Sequence, residues 1–151
     1  MIELQTIYPV TQETLDFLYD LLKSREAYAN ISHDPEKMPT RCDHADFVCS
    51  MPYRKWWVVV GRFDYEASSV EFDYRIEPVG SAYLSKSNEI GIHIMKGYQG
   101  RSFGPDAVRK IIEMFPGERL LANVAVINEK SHKLFKSVGG RVISHTYEIL
   151  V

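Results

Sequence analysis

Residues 88–105, "NEIGIHIMKGYQGRSFGP", decide the fold. The first part alternates with a period of two, which predicts a strand with isoleucines on one face (Ile90, Ile92, Ile94) and a mixed set on the other (Glu89, Gly91, His93). The second part, "YQGRSFGP", contains two glycines and ends at Pro105, a residue favoured at the first position of a helix. The stretch therefore predicts a strand, a glycine-containing loop and a helix N-terminus in succession.

Such a loop presents unpaired backbone N–H groups with the positive end of the helix dipole behind them. This arrangement suits a phosphate group, and Gly100 and Gly104 permit a close approach to the backbone. Taken alone, the spacing is equally compatible with a turn that only caps the helix.

Upstream of this stretch, the sequence predicts a strand at residues 2–10 and a helix that Thr11 caps and that ends near Ser24. A loop follows to residue 40, and a short helix is expected at 43–50. "KWWVVVGRF", residues 55–63, is the strongest strand and is expected to be central, because aromatic and β-branched residues fit a buried pleated surface. Two further strands, 70–76 and 79–85, are expected on either side of a turn at Glu77-Pro78.

Downstream, an apolar stripe predicts a helix that stops at Pro116-Gly117, followed by a strand at 119–127. Asn128 is expected to cap a short helix that Gly139-Gly140 ends, and residues 141–151 are expected to form a last strand. The order predicts one α/β domain over residues 1–151, in which a mixed sheet is flanked by helices. Chemistry is expected at the strand-to-helix switch after Met95.

Composition excludes several classes of protein. The chain has 151 residues, 45% of them apolar and 25% charged, as in ordinary globular domains. A net charge of −2 without a basic helix disfavours nucleic acid as a partner. The N-terminus lacks the features of a signal peptide and no apolar run approaches a membrane span, so we expect a cytoplasmic protein without a membrane partner.

The two cysteines, Cys42 and Cys49, suit a reducing compartment as free thiols. Together with His44 and the upstream His33 they are alternative zinc ligands, but the spacing lacks a paired Cys-x-x-Cys. We therefore expect no metal.

Three segments in fixed order, "NEIGIHI" (88–94), "YQGRSFG" (98–104) and "NEKSHKLFKSVGG" (128–140), resemble the GNAT superfamily of acetyl-coenzyme A dependent N-acetyltransferases. The family's loop pattern Gln/Arg-x-x-Gly-x-Gly/Ala corresponds to residues 99–104, and its Asn-x-x-Ser/Ala helix start to Asn128 and Ser131. Within the superfamily, the motifs look most like Rim-type ribosomal-protein and amino-sugar acetyltransferases. The resemblance implies a GNAT-like mixed, mostly antiparallel, twisted central sheet flanked by helices.

The resemblance also implies where acetyl-coenzyme A binds. The amides of residues 101–104 should hold the pyrophosphate, the strand edge at 94–96 should pair with the pantetheine arm, and Asn128 should lie beside that arm. The implied coenzyme-binding residues are Ile94, Met95, Lys96, Gln99, Gly100, Arg101, Ser102, Phe103, Gly104, Asn128, Ser131 and Phe135.

The sequence departs from the family pattern at four places. Ser102 replaces the loop's first glycine, which adds strain if that position needs a positive φ. Phe135 stands where some members have the tyrosine that protonates the departing thiolate. Gly140 replaces a phenylalanine, and the residues after it are too few for the two closing strands of many members. The link at 64–76 is longer than the family's usual one and could supply a compensating strand.

Acetyl transfer from a thioester to an amine needs a neutral amine, an oxyanion partner and a proton for the thiolate. Deprotonating a lysine-like ammonium of pKa ~10.4 costs roughly 4.6 kcal/mol at pH 7, against about 1.4 for an α-amine. Glu89 is the leading candidate for the base or for a water-mediated proton path, with a solvated carboxylate or substrate anchor as the alternative. His93 is a second candidate, Ser131 a candidate acid or a local cap, and amides near Ile94 candidate oxyanion donors.

The polar stretch at 25–33 falls where the family's acceptor loop lies, and the acceptor is expected to contact Arg25, Glu26, Tyr28, His33 and Tyr53. A loop that is merely solvated is an equally good interpretation of this stretch. A small-molecule amine, an amino sugar or amino-acid-like compound, is slightly favoured over a protein N-terminus or lysine. A non-catalytic acyl-coenzyme A binding module and a purely structural protein are the competing hypotheses. A homodimer through the C-terminal sheet edge is also expected.

Overall fold

The structure is a computed structural model that describes residues 1–25, 37–64 and 74–150. Over these ranges the elements in chain order are β1 (Ile2–Thr6), α1 (Gln12–Lys23), α2 (Arg41–Cys49), β2 (Lys55–Asp64), β3 (Tyr74–Leu84), β4 (Ile90–Ile94), α3 (Phe103–Met114) and α4 (Glu129–Ser137). A 3₁₀ turn at Lys96–Tyr98 lies between β4 and α3.

The described strands form an antiparallel sheet in the order β1-β2-β3-β4, so β2 is interior, as predicted. Its apolar run is buried on both faces of the sheet. Trp57 and Val59 join a core cluster with α3, whereas Trp56 packs in a second cluster with α1 and α2. Burial on both sides explains why this strand is apolar throughout rather than alternating.

The prediction of two short strands around Glu77-Pro78 was wrong, because β3 is continuous through this dipeptide. The register shifts there: Val59 pairs with Gly80 and Val60 with Pro78, which leaves Val79 as the additional residue of a bulge. A bulge accommodates a proline inside a strand because the missing N–H is not needed by the ladder. Residues 70–73 of the predicted strand lie outside the described residues.

Helix α3 covers one face of the sheet and buries Ala107, Val108 and Ile111 against it. It begins at Phe103, two residues before the predicted start at Pro105, because Ser102 turns the chain in a left-handed conformation immediately before it. Pro105 is tolerated there since the first N–H groups of a helix have no intrahelical partner. Within the described ranges, no helix has the length and apolarity to cross a membrane.

Helices α1 and α2 cover the other face, where Leu18 and Val48 pack against Ile7 and Trp56. The predicted caps are present: the Thr11 hydroxyl accepts from the amide of Thr14, and Ser24 ends α1. Helix α2 begins two residues earlier than predicted, because the Thr40 hydroxyl accepts from the amide of Asp43.

The two strands predicted downstream of α3 are not formed. In residues 119–127 only Leu121 forms a bridge, parallel to Glu89 at the start of β4, and the chain then leaves the sheet. Residues 141–150 make no backbone hydrogen bond with any described residue. Both segments have the composition of strands, but a strand also requires a partner edge, and composition does not specify one.

Gly80 illustrates how closely β3 and β4 approach beside the bulge. A Cβ at this position would lie 2.3 Å from the backbone oxygen of His93, which cannot move without breaking the ladder. In contrast, a Cβ at Gly97 would meet no atom within 4 Å, so Gly97 provides a matched control.

We predict that Gly80→Ala lowers the free energy of unfolding by about 1–3 kcal/mol through overpacking. Gly97→Ala should change it by less than about 0.5 kcal/mol. Urea denaturation followed by far-UV circular dichroism measures both. Equal stabilities of the two variants would contradict the close approach at Gly80.

Candidate active site

A cleft of about 890 Å³ lies between β4, the loop that precedes α3, the N-terminal half of α4 and residues 123–125. Its volume is within the range of small-molecule sites. The cleft exists because Leu121 is the last residue that bonds to β4: the amide of Ile90 donates to the Leu121 oxygen at 2.7 Å, and beyond this point the two segments separate.

The separation leaves the outer edge of β4 open. The Ser85 amide donates to the Glu89 oxygen, and the Met95 amide donates to the Val79 oxygen. With the register of the two strands, these bonds make the odd-numbered residues of β4 the ones that are hydrogen-bonded to β3. Because such pairs alternate, the backbone groups of Ile90, Ile92 and Ile94 point away from β3. The amides of Ile92 and Ile94 therefore face the gap, and no described residue accepts from them.

The loop before α3 carries a run of unpaired amides. None of the amides of residues 100–104 donates to a described residue. Gly100 and Ser102 have φ values of 77° and 63°, so the chain alternates in and out of the left-handed region. Successive amides in such a loop, with a helix N-terminus behind them, form an anion-binding concavity.

Gln99 ties this loop to its neighbours. Its side-chain nitrogen donates to the Ile94 oxygen at 2.9 Å, and its oxygen accepts from the Lys130 Nζ at 3.1 Å. The side chain of Gln99 thus joins the end of β4 to α4. Lys130 and two further lysines, Lys96 and Lys133, line the cleft and give this side a positive charge.

Helix α4 presents its first turn to the cleft. The Asn128 side chain accepts from the Ser131 amide at 3.1 Å, the predicted cap, and is itself buried. The Ser131 hydroxyl lines the cleft and has no hydrogen-bond partner among the described residues. Phe135, one turn later, lines the cleft with a ring that cannot donate a proton.

The face of β4 opposite α3 carries a second group of lining residues. Glu89 is half-buried, and His93 Nε2 lies 3.3 Å from the hydroxyl of Ser24 at the end of α1. Tyr83 stacks on Tyr53 with ring centroids 3.9 Å apart. Burial, with a smaller contribution from Tyr83, raises the pKa of Tyr53 to about 12.

Tyr83 was not predicted as a site residue. Its ring lies over Gly91, the residue paired with it across β3 and β4: a Cβ at Gly91 would lie 2.1 Å from Tyr83 Cζ. A glycine inside an otherwise apolar strand indicates a close approach of another group. Gly91 was therefore the feature of the sequence that could have indicated a close neighbour in the site, although it does not identify that neighbour as Tyr83.

Most of the predicted site residues line this one cleft. They are Arg25, Tyr53, Glu89, His93, Ile94, Lys96, Gln99, Gly100, Ser102, Phe103, Gly104, Asn128, Ser131 and Phe135. Met95 and Arg101 are not among the lining residues, and the Met95 amide is used by Val79. Glu26, Tyr28 and His33 lie outside the described residues.

The alternative zinc ligands are dispersed. Cys42 and Cys49 are exposed, whereas His44 is buried with its ring edge on Tyr19, and burial lowers the pKa of its imidazole. Within the described ranges, no group of three or more histidine, cysteine or acidic side chains is close enough to hold a metal ion.

Comparison with known proteins identifies solved structures with a similar fold. No protein-family model matches the sequence. No curated protein sequence matches it significantly. A domain from Methanocaldococcus jannaschii is similar in structure at 21% identity and a TM-score of 0.72, with 98% of this chain and 93% of that chain covered.

Two solved acetyltransferases are also similar. The microcin C7 self-immunity acetyltransferase MccE, in complex with acetyl-CoA and AMP, has 15% identity and a TM-score of 0.62, with 91% of this chain and 77% of that one covered. A chimera of spermidine N-acetyltransferase SpeG from Vibrio cholerae and hSSAT has 17% identity and a TM-score of 0.59, with 91% and 78% covered. The chain therefore has the fold of the GNAT acetyltransferases.

Proposed function

We propose that this chain is an acetyl-coenzyme A dependent N-acetyltransferase that transfers the acetyl group directly to a primary amine. The observation that carries the proposal is the run of unpaired amides at residues 100–104 beside the open edge of β4. The two features lie in one cleft and suit a ligand with a pyrophosphate at one end and an amide-containing chain beyond it. That MccE binds acetyl-CoA on the same fold supports the proposal.

The cleft residues fit coenzyme A in charge and in hydrogen bonding. The loop amides and the N-terminus of α3 would hold the pyrophosphate, and Lys96, Lys130 and Lys133 would balance the phosphate charge. The free edge amide of Ile94 would pair with a carbonyl of the pantetheine arm, with Asn128 and Phe135 along its other side, whereas the Ile94 oxygen already accepts from Gln99. Bound acetyl-coenzyme A supplies an acetyl group activated as a thioester.

For the reaction, a neutral amine attacks the acetyl carbonyl carbon, the carbon–sulfur bond breaks, and the products are an N-acetyl amide and a free thiol. One proton leaves the amine and one reaches the sulfur. The amide of Ile92 also faces the cleft, farther from the coenzyme loop than that of Ile94, and would donate to the developing oxyanion, whereas the Met95 amide is already used within the sheet. Holding both reactants in one cleft lowers the barrier through orientation.

Glu89 would accept the proton from the amine, directly or through water. It is the one carboxylate among the described lining residues, and it shares its face of β4 with His93. The imidazole of His93 contacts Ser24, which favours a positioning role for it.

The thiolate is proposed to be protonated by water through the hydroxyl of Ser131, which takes up one proton as it passes on another. This hydroxyl is unpartnered in the cleft, and Phe135 cannot donate. Tyr98 also lines the cleft, but its hydroxyl donates to Glu77 at 2.7 Å, which raises the pKa of Tyr98 and occupies its proton.

The acceptor is proposed to be a small-molecule primary amine. Tyr53, Tyr83, Arg25 and Glu89 line the cleft on the face away from the coenzyme loop. An ammonium group would be attracted to the Glu89 carboxylate. SpeG is by name a spermidine acetyltransferase of this fold, which supports a small-molecule acceptor here.

We predict that Glu89→Gln lowers kcat/KM for an amine of pKa near 10 by about 100-fold at pH 7, because general-base assistance is lost. The deficit should shrink as the pH approaches the pKa of the amine, since the neutral form is then abundant. Thiol release measured with a panel of amines tests this, and the affinity for coenzyme A should not change.

Glu113→Gln on the exposed side of α3 is the matched control and should leave the rate unaltered. Wild-type activity in Glu89→Gln would exclude Glu89 as the base. If the wild type itself releases no thiol above buffer with any amine and yet binds coenzyme A, the chain is a non-catalytic binding module.

A second prediction concerns Ser102, which holds φ at 63° and makes no side-chain capping bond. Ser102→Gly relieves about 1–2 kcal/mol of left-handed strain, and about 0.4–1 kcal/mol of this is offset by the greater freedom of the unfolded chain. Stability should therefore rise by roughly 0.5–1 kcal/mol, and coenzyme A should bind as tightly or more tightly.

Thermal denaturation and calorimetric titration with coenzyme A measure the two effects. Ser102→Ala retains the Cβ and should gain no stability. Substantially weaker coenzyme binding in Ser102→Gly would show that the serine side chain itself contacts the ligand.

A further inference from the structure

The ring of Tyr83 is held on both of its faces beside the open edge of β4. One face stacks on Tyr53, with ring centroids 3.9 Å apart and an angle of 6° between the planes. The other face lies on the backbone of Gly91, since a Cβ at that glycine would lie 2.5 Å from the Tyr83 hydroxyl oxygen. With both faces covered, only the edge of the ring and its hydroxyl are left to contact a ligand.

The direction of this ring brings its hydroxyl to the cleft. Tyr83 belongs to β3 and is paired with Gly91 of β4, so a ring that covers Gly91 extends across β4 toward the outer edge of that strand. Tyr83 accordingly lines the cleft. The residue after Gly91 is Ile92, whose amide faces the same gap. Two hydrogen-bond donors, a phenol hydroxyl and a backbone amide, therefore lie close together at this edge.

Tyr53 leaves the hydroxyl proton of Tyr83 available to a ligand. Burial is the main cause of the raised pKa of Tyr53, and a side-chain hydrogen bond with Tyr83 acts in the same direction. A hydrogen bond raises the pKa of a phenol when that phenol is the donor, because the protonated form is then favoured. The Tyr83 oxygen is thus the acceptor of the pair and keeps its own proton. No described residue accepts that proton.

The packing behind Tyr53 fixes the position of the pair. The Tyr53 ring meets Trp56 edge to face at a centroid distance of 4.8 Å. The Trp56 indole nitrogen donates to the Ser81 hydroxyl at 2.8 Å, and that hydroxyl donates to the Trp57 oxygen at 3.1 Å, both in the buried part of the sheet. A donor held in this way needs no reorganisation when charge develops beside it, which is the condition for electrostatic stabilisation of a transition state.

We infer that Tyr83 is a catalytic residue whose hydroxyl donates a hydrogen bond to the oxygen of the tetrahedral intermediate, together with the Ile92 amide. The inference rests on the proposed acetyl transfer. When the amine nitrogen bonds to the acetyl carbon, one electron pair of the carbonyl group moves onto oxygen, and it returns when the carbon–sulfur bond breaks. Tyr83 keeps its proton throughout, so the proton that leaves the amine still passes to Glu89.

The infrared absorption of bound acetyl-coenzyme A tests the inference without an acceptor. The probe is acetyl-coenzyme A labelled with carbon-13 at the acetyl carbonyl and bound to the full chain. A hydrogen bond to the carbonyl oxygen weakens the carbon–oxygen double bond and lowers its stretching frequency. The frequency should therefore be lower in the wild type than in Tyr83→Phe, which retains the ring and its stacking. Tyr74→Phe removes an exposed hydroxyl at the other end of β3 and should match the wild type.

Replacement of Tyr83 by 3-fluorotyrosine gives a second measurement that retains the hydroxyl. The fluorinated phenol is more acidic and is a stronger donor, so the carbonyl frequency should fall below that of the wild type. Far-UV circular dichroism and the affinity for coenzyme A, which should not change, establish that each variant retains its fold.

Kinetics separate an action on the acetyl oxygen from binding of the acceptor. With an amine that the wild type acetylates, Tyr83→Phe should lower kcat by about 100-fold, as is typical for the loss of one oxyanion donor. KM for the amine should not change. Tyr53→Phe should lower kcat less, because the stack remains and only the hydrogen bond that orients the Tyr83 proton is lost.

Two results would overturn the inference while leaving the proposed function intact. One is an equal carbonyl frequency in the wild type and Tyr83→Phe with acetyl-coenzyme A bound to both. The other is a Tyr83→Phe variant with a raised KM for the amine and an unaltered kcat, which would make the hydroxyl a contact of the acceptor. If the wild type does not bind acetyl-coenzyme A at all, the proposed function is wrong and this inference is wrong with it.

Discussion

The open edge of β4 is the constraint on which the rest of the site depends. One hydrogen bond, from the Ile90 amide to the Leu121 oxygen, is the last contact before residues 122–125 leave the sheet. If the ladder continued, the amides of Ile92 and Ile94 would be consumed by a neighbouring strand and no cleft would exist. The site therefore consists of backbone groups that a regular sheet would have satisfied internally.

Close approach of side chains to the backbone accounts for the placement of two glycines. Gly104 lets α3 approach α4, since a Cβ there would lie 2.7 Å from Leu134 Cδ1, and Gly91 makes room for the Tyr83 ring. Ser102, like Met51 and Asn88, holds a left-handed conformation without the freedom of glycine. Strain retained in the candidate coenzyme loop is consistent with a conformation that the surrounding structure imposes.

The side chains on the two faces of β4 have different surroundings. Ile90 and Ile94 belong to the core under α3, whereas Glu89, Gly91 and His93 face the ends of α1 and the aromatic wall.

The sequence by itself determined the elements whose signals are local: the Thr11 and Asn128 caps, the interior strand built on Trp56 and Trp57, and the strand–loop–helix unit of residues 88–105. These follow from capping chemistry and periodicity within a few residues. Most of the candidate site residues lie on this one unit, and the structure places most of them along one cleft. Only the tertiary structure decided where a strand-like segment finds an edge. Residues 122–127 and 141–150 are as strand-like as β1, yet they stay unpaired because pairing is a property of two segments. The stacking of Tyr83 on Tyr53 over Gly91 depends on register for the same reason.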